Sequence, residues 1–189
     1  MLRWSSNAGQ NDPPANSPRA IKGENTMQVE NLMIQSVLSN WRLTTTRLTN
    51  FFTGLAESSF YEEIAPGRNR IIYVLGHLTA VHDLTLEVLG FGGREHPELD
   101  EVFIKNPDRV IAALPPIPNL LSLWTAVNKR LYEGMQVLTP EQWVGRHHVM
   151  SEEEYVTNPS RNCMSVVLNR TDHAGYHLGQ LILWRSNQS

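Results

Sequence analysis

Four stretches of this sequence repeat their apolar residues every three or four positions, and proline or glycine marks a boundary of the last three. That period belongs to an α-helix with one buried face, so the chain is limited to folds in which four long helices share a core. The first stretch, from about Met27 to Ala56, sets Val29, Leu32, Met33, Ser36, Val37, Trp41, Leu48, Phe51, Phe52 and Leu55 largely on one stripe. The second, from about Arg70 to Leu89, carries Ile72, Leu75, Leu78, Val81, Leu86 and Leu89 between the breakers Ala65-Pro66-Gly67 and Gly90-Phe91-Gly92-Gly93. The third runs from about Asn119 to Leu138 behind Pro115-Pro116-Ile117-Pro118, and the fourth from about Arg161 to Trp184 behind Pro159. No stretch alternates with period two for long enough to make a strand. The expected class is all-α, and the default architecture for four such helices is a four-helix bundle.

Two connections are long, about 28 residues between the second and third helices and about 22 between the third and fourth. Loops of that length in a compact domain carry function or small helices of their own, and Glu98 to Ala113 is the segment expected to hold one. Residues 1–25 are rich in Asn, Ser, Pro and Gly, show no period, and read as a disordered tail ahead of one domain over residues 26–189. The periodic pattern, and with it a candidate native start, begins at Met27. The net charge of −3, with no basic block, argues against nucleic acid. No apolar run approaches the roughly 20 residues of a membrane helix, and the N-terminus lacks the apolar core of an export signal. The single cysteine, Cys163, can form no internal disulfide, which fits a reducing cytoplasm; it reads as a small buried hydrophobe rather than a nucleophile.

Seven histidines are available to do chemistry. His173 and His177, in the segment DHAGYHLGQLILWR, stand four residues apart and therefore share one helix face. Their stripe also holds Val166, Gln180, Leu181, Trp184 and either Arg170 or Asn169, which turns it inward. Two imidazoles facing a core must be paired, because an unpaired buried polar group costs about 1–3 kcal/mol. Ordinary hydrogen-bond partners would suffice, and a metal would satisfy both at once. A third ligand is then needed. His77 in YVLGHLTAVHD suits the role, since it lies mid-helix beside Gly76, which permits a close approach of backbone. His82, five residues on, points about 140° away and is expected to face solvent or a loop. His96, His147 and His148 sit in loops and are expected to be solvated or structurally plain. Three histidines with an open fourth position describe a reactive site rather than a structural one, and imidazoles suit zinc, nickel, iron or copper alike.

Gly76-His77-Leu78 on the second helix, with His173-Ala-Gly-Tyr-His177-Leu-Gly179-Gln180 on the last, resembles the DinB/YfiT-like superfamily of four-helix-bundle proteins. The resemblance extends from about Met27 to Trp184. It implies that His77, His173 and His177 bind a divalent metal, zinc or nickel first, inside the bundle. It also implies a thiol-dependent activity. Members with assigned activities transfer a low-molecular-weight thiol such as bacillithiol to an electrophile, or isomerise maleylpyruvate with mycothiol. Relatives of this kind often form homodimers. One departure concerns the wall of the site: many relatives carry a tryptophan shortly before the GHL histidine, where this chain reads Arg68-Asn69-Arg70-Ile71-Ile72.

Three further residues are candidates to support the site. Gln180, one turn after His177, is placed to hydrogen-bond a ligand or a water. Tyr73 lies one turn before His77, and Asn169 one turn before His173, where it would orient an imidazole. Asp172 lies about 100° round the helix from His173 and is expected to orient nothing. The run Glu152-Glu153-Glu154 reads as a solvated loop or a helix start. No Ser-His-Asp order and no phosphate-cradling glycine loop is present. The reading that follows is a cytoplasmic metal-dependent enzyme, a thiol S-transferase or related isomerase acting on a small electrophile. The alternatives are a non-catalytic bundle that binds a metal or small ligand in a stress response, and a metal-dependent hydrolase, which would need a carboxylate near the metal.

Overall fold

The computed structural model describes residues 18–186. Its long helices are α1 (Pro18–Thr53), α2 (Ile71–Val88), α4 (Ile117–Gln136) and α7 (Cys163–Ser186), with short α3 (Leu99–Phe103), α5 (Pro140–Val144) and α6 (Glu152–Thr157) in the long connections and a 3-10 turn at Glu57–Tyr61. Among the described residues there is no strand, only an isolated bridge between Glu63 and Arg70. The α1 helix starts at Pro18, ahead of Met27 where the apolar period begins; the part of the expected tail before Pro18 lies outside the described residues.

The four long helices form a square in which α1 packs on α7 and α4, and α2 packs on α4 and α7. The core falls into two parts. One gathers Phe52, Leu75, Phe103, Trp124 and Trp184; the other gathers Trp41, Leu86, Leu131, Trp143 and Val167. The α2 helix is enclosed almost all round: from Ile71 to Leu86 only His77 and Leu84 are not fully buried. By length and composition it could cross a membrane, but 67% of it is buried inside the bundle, where a core helix is equally apolar.

The helix ends follow local chemistry. The Arg70 N–H and guanidinium both bond Asp108, fixing the entry to α2. After α2, Gly90 takes φ +75°, a left-handed turn that glycine adopts without a Cβ penalty. Buried Asp83 then accepts the backbone N–H groups of Glu95 and His96 and pairs with Arg94, so the following loop is tied back to the helix. The acidic run Glu152–Glu154 is the first turn of α6. Ser151 caps it in a reciprocal box with Glu154, and negative charge at a helix N-terminus is favourable.

Candidate metal centre

Helix α2 contributes His77 and helix α7 contributes His173 and His177, and the three side chains meet between the two helices. The Nε2 atom of His173 lies 3.2 Å from Nε2 of His77 and 3.2 Å from Nε2 of His177. All three candidate ligand atoms lie within 4.8 Å of one another. The rings stand edge to face, with centroids 4.8–5.4 Å apart.

The tautomers follow from the far side of each ring. His77 Nδ1–H donates to the Phe103 carbonyl at 2.8 Å, and His177 Nδ1–H donates to Gln180 Oε1 at 2.9 Å. A neutral imidazole protonated at Nδ1 carries its lone pair on Nε2. Two lone pairs therefore face His173 Nε2, whose single proton could satisfy only one of them. A cation accepts all three. Tetrahedral zinc with nitrogens at about 2.0–2.1 Å sets those nitrogens about 3.3 Å apart, close to the 3.2 Å that separates His173 from each of the other two. Burial, reinforced by the neighbouring imidazoles, pulls His173 down to about 4 and also lowers His177. Both are neutral near pH 7, the form that binds metal. The donor set, its spacing and its protonation state fit a divalent cation.

The supports divide unequally among the sequence candidates. Gln180 holds His177, and its own amide donates to Tyr176 Oη at 2.9 Å. Tyr73 stacks parallel to His77 with centroids 6.3 Å apart and donates its hydroxyl to the Asn106 carbonyl at 2.7 Å. It thus steadies the loop whose Phe103 carbonyl orients His77. Gly76 makes that possible: a Cβ there would sit 2.3 Å from the Phe103 ring. Asn169 does not orient an imidazole. It is exposed and accepts Arg170 Nη1 at 3.0 Å, because the helix turns Arg170 rather than Asn169 inward, and His173 Nδ1 has no hydrogen-bond partner among the described residues.

Two other histidines differ from expectation. His82 does not face solvent: it is 0% exposed, lies between the rings of Trp41 and Trp124, and bonds Asn128 Oδ1 through Nδ1 at 2.9 Å. The reason is that α2 has no solvent face at that height. The absence of any Lys or Arg between Ile71 and Val88 was the signal for it. His147 is buried as well, which lowers its pKa, whereas His148 is exposed. His96 lies beside Glu98 at 3.2 Å.

One side of the trio opens on a cleft of about 480 Å³ lined by His77, His173, Val81, Leu84, Ile104, Asn169, Arg170, Asp172 and Tyr176. The sequence pattern gave no sign of Phe103, whose contribution is a main-chain carbonyl. Asp172, expected to orient nothing, makes no side-chain hydrogen bond among the described residues and stands on the cleft wall. A reacting molecule placed here would reach the histidine nitrogens from a pocket with both apolar and polar walls.

The sequence model of the DinB superfamily matches residues 40–181, a span that holds all three histidines together with Gln180 and Phe103. No curated protein matches the chain.

Proposed function

Since the chain belongs to the DinB superfamily, we propose that it is a metal-dependent enzyme that transfers a low-molecular-weight thiol to a small electrophile, with His77, His173 and His177 as the metal ligands. The observation that carries this reading is the open side of the trio: three imidazoles converge, and the cleft gives a fourth group access to the same point. A divalent cation held by these three histidines would lower the pKa of a thiol beside it. The protein's own residues supply position. Phe103 and Gln180 hold two rings in the tautomer that presents Nε2. Val81, Leu84 and Ile104 form the apolar wall against which an electrophile is held beside the sulfur, and proximity lowers the barrier further. In the transfer, the thiol proton goes to solvent, a carbon–sulfur bond forms, and the leaving group departs with its bonding pair. No general base is required of the protein. A reducing cytoplasm, where free thiols persist, is the setting that suits this chemistry.

The test begins with metal content, by elemental mass spectrometry on untagged wild type and His173→Ala. Near-stoichiometric metal in the wild type, lost in the variant, is the expected result. Zinc- or nickel-loaded wild type should then conjugate N-acetylcysteine to chlorodinitrobenzene faster than the uncatalysed reaction, and His173→Ala should not. Wild type that neither retains nor takes up metal would end this reading. Metal without turnover on any thiol would favour a binding protein instead.

A second reading has one observation of its own. Asp172 places a carboxylate on the cleft wall, as a metal-dependent hydrolase would need for a general base. Ester hydrolysis without added thiol, abolished by Asp172→Asn with metal retained, would favour it over transfer.

A further inference from the structure

Among the described residues, each half-buried arginine but one pairs with a carboxylate. Arg70 pairs with Asp108, and Arg94 with Asp83 and Asp100. Arg170 is partly buried on α7, one turn before His173, and among the described residues no carboxylate oxygen lies within ion-pair distance of it. Its partners are neutral: Nε donates to Thr85 Oγ1 at 3.2 Å and Nη1 donates to Asn169 Oδ1 at 3.0 Å. Those two bonds fix the guanidinium plane, and among the described residues Nη2 has no hydrogen-bond partner. Burial is the sole cause that pulls the group below its ordinary range.

Its position gives the missing counter-charge a source. Arg170 stands on the wall shared by two cavities. One is the cleft that reaches His77 and His173; the other, of about 470 Å³, is lined by Arg161, His147 and Val166 among others, and no carboxylate lines it. Asp172, on the first cleft, is exposed and makes no ion pair with Arg170. A preorganised guanidinium edge facing open space is suited to a carboxylate, which it can meet with two parallel hydrogen bonds.

We propose that Arg170 is the anion-recognition residue of the site, and that the molecule bound at the three histidines carries a carboxylate that Arg170 receives. This rests on the metal reading above and adds the substrate's charge to it. The acidic group lies on the Arg170 side of the cleft, where the two cavities share a wall.

The experiment uses full-length protein loaded with cobalt(II), whose thiolate charge-transfer band reports a thiol at the metal independently of turnover. The probes are 3-mercaptopropionate and its neutral counterpart 3-mercaptopropionamide, nearly equal in size and differing in charge. Wild type should bind the carboxylate roughly ten- to a hundred-fold more tightly, the range expected of a charge-assisted bidentate contact. Arg170→Met should lose that preference while keeping its cobalt and its affinity for the amide, and Arg170→Lys should keep part of it. Equal affinity of wild type for the two probes overturns the proposal, whatever the variants do. So does an Arg170→Met protein that still prefers the carboxylate. Wild type that takes up no cobalt overturns the metal reading and this inference with it, so the two failures are told apart.

Discussion

At the level of single residues, the site is a set of small constraints converging on nitrogen lone pairs. Gln180 and the Phe103 carbonyl determine which nitrogen of His177 and His77 is free. Removing such an orienting partner lowers metal affinity by roughly ten- to a hundred-fold in comparable sites. Gln180→Ala should therefore bind zinc about that much more weakly in a competitive chelator titration, with an unchanged circular dichroism spectrum. Gly76→Ala is a harsher change, because its Cβ would meet the Phe103 ring at 2.3 Å. We expect a loss of about 1–3 kcal/mol in urea unfolding, as for an overpacked core, together with weakened metal binding as Phe103 is pushed off His77. The three histidines were legible in the sequence because two lie one turn apart on an inward stripe and the third lies beside a glycine. Phe103 was not, since a main-chain acceptor leaves no signature in residue type. Asn169 and Arg170 are adjacent on the wheel, and periodicity alone cannot choose between neighbours 100° apart.

Among the helices, α2 sets the terms for the others. Its interior position explains the error over His82, since a spacing argument assumes one buried face and this helix has no other kind at that height. His82 joins three helices, lying between Trp41 of α1 and Trp124 of α4 and bonding Asn128 of α4. Complete burial pulls its pKa down from 6.5 to about 3. Between those two values the unfolded chain binds a proton that the folded one refuses, so stability falls as pH drops through this window and is fully present above it. One such group contributes a slope of about 1.4 kcal/mol per pH unit at most. Urea denaturation of metal-free protein from pH 7 to 4 should show the decline, and His82→Gln should make it shallower by about one proton. The four long helices were readable from their period, within a few residues at each end except the start of α1, which lies nine residues ahead of the expected Met27. The short α5 was not, and α6 only as the helix start that its acidic run allowed, because helices of five or six residues are too brief to display a period and depend on capping boxes at Thr139 and Ser151.

For the molecule as a whole, exposed Met27, Val29, Leu32 and Met33 on α1 give a surface on which two copies could associate. We expect a homodimer by light scattering, reduced to monomer by Leu32→Glu; a wild-type monomer at micromolar concentration would remove that expectation. Metal should raise the melting temperature. A cation at a hundred times its dissociation constant adds about 2.7 kcal/mol, or roughly 5–10 °C for a chain of this size, and His173→Ala should show no such gain. The ion would act across a long span of chain. His77 and His173 are 96 residues apart in sequence, so an ion between them closes a very long loop. Chain-closure entropy grows with loop length, and clips across long loops restrict the unfolded chain most. A protein with a single cysteine has no disulfide to act as such a staple. Here coordination would serve as a removable cross-link, one that a chelator can cut and a metal supply can restore, so the protein's lifetime would follow the availability of its ion.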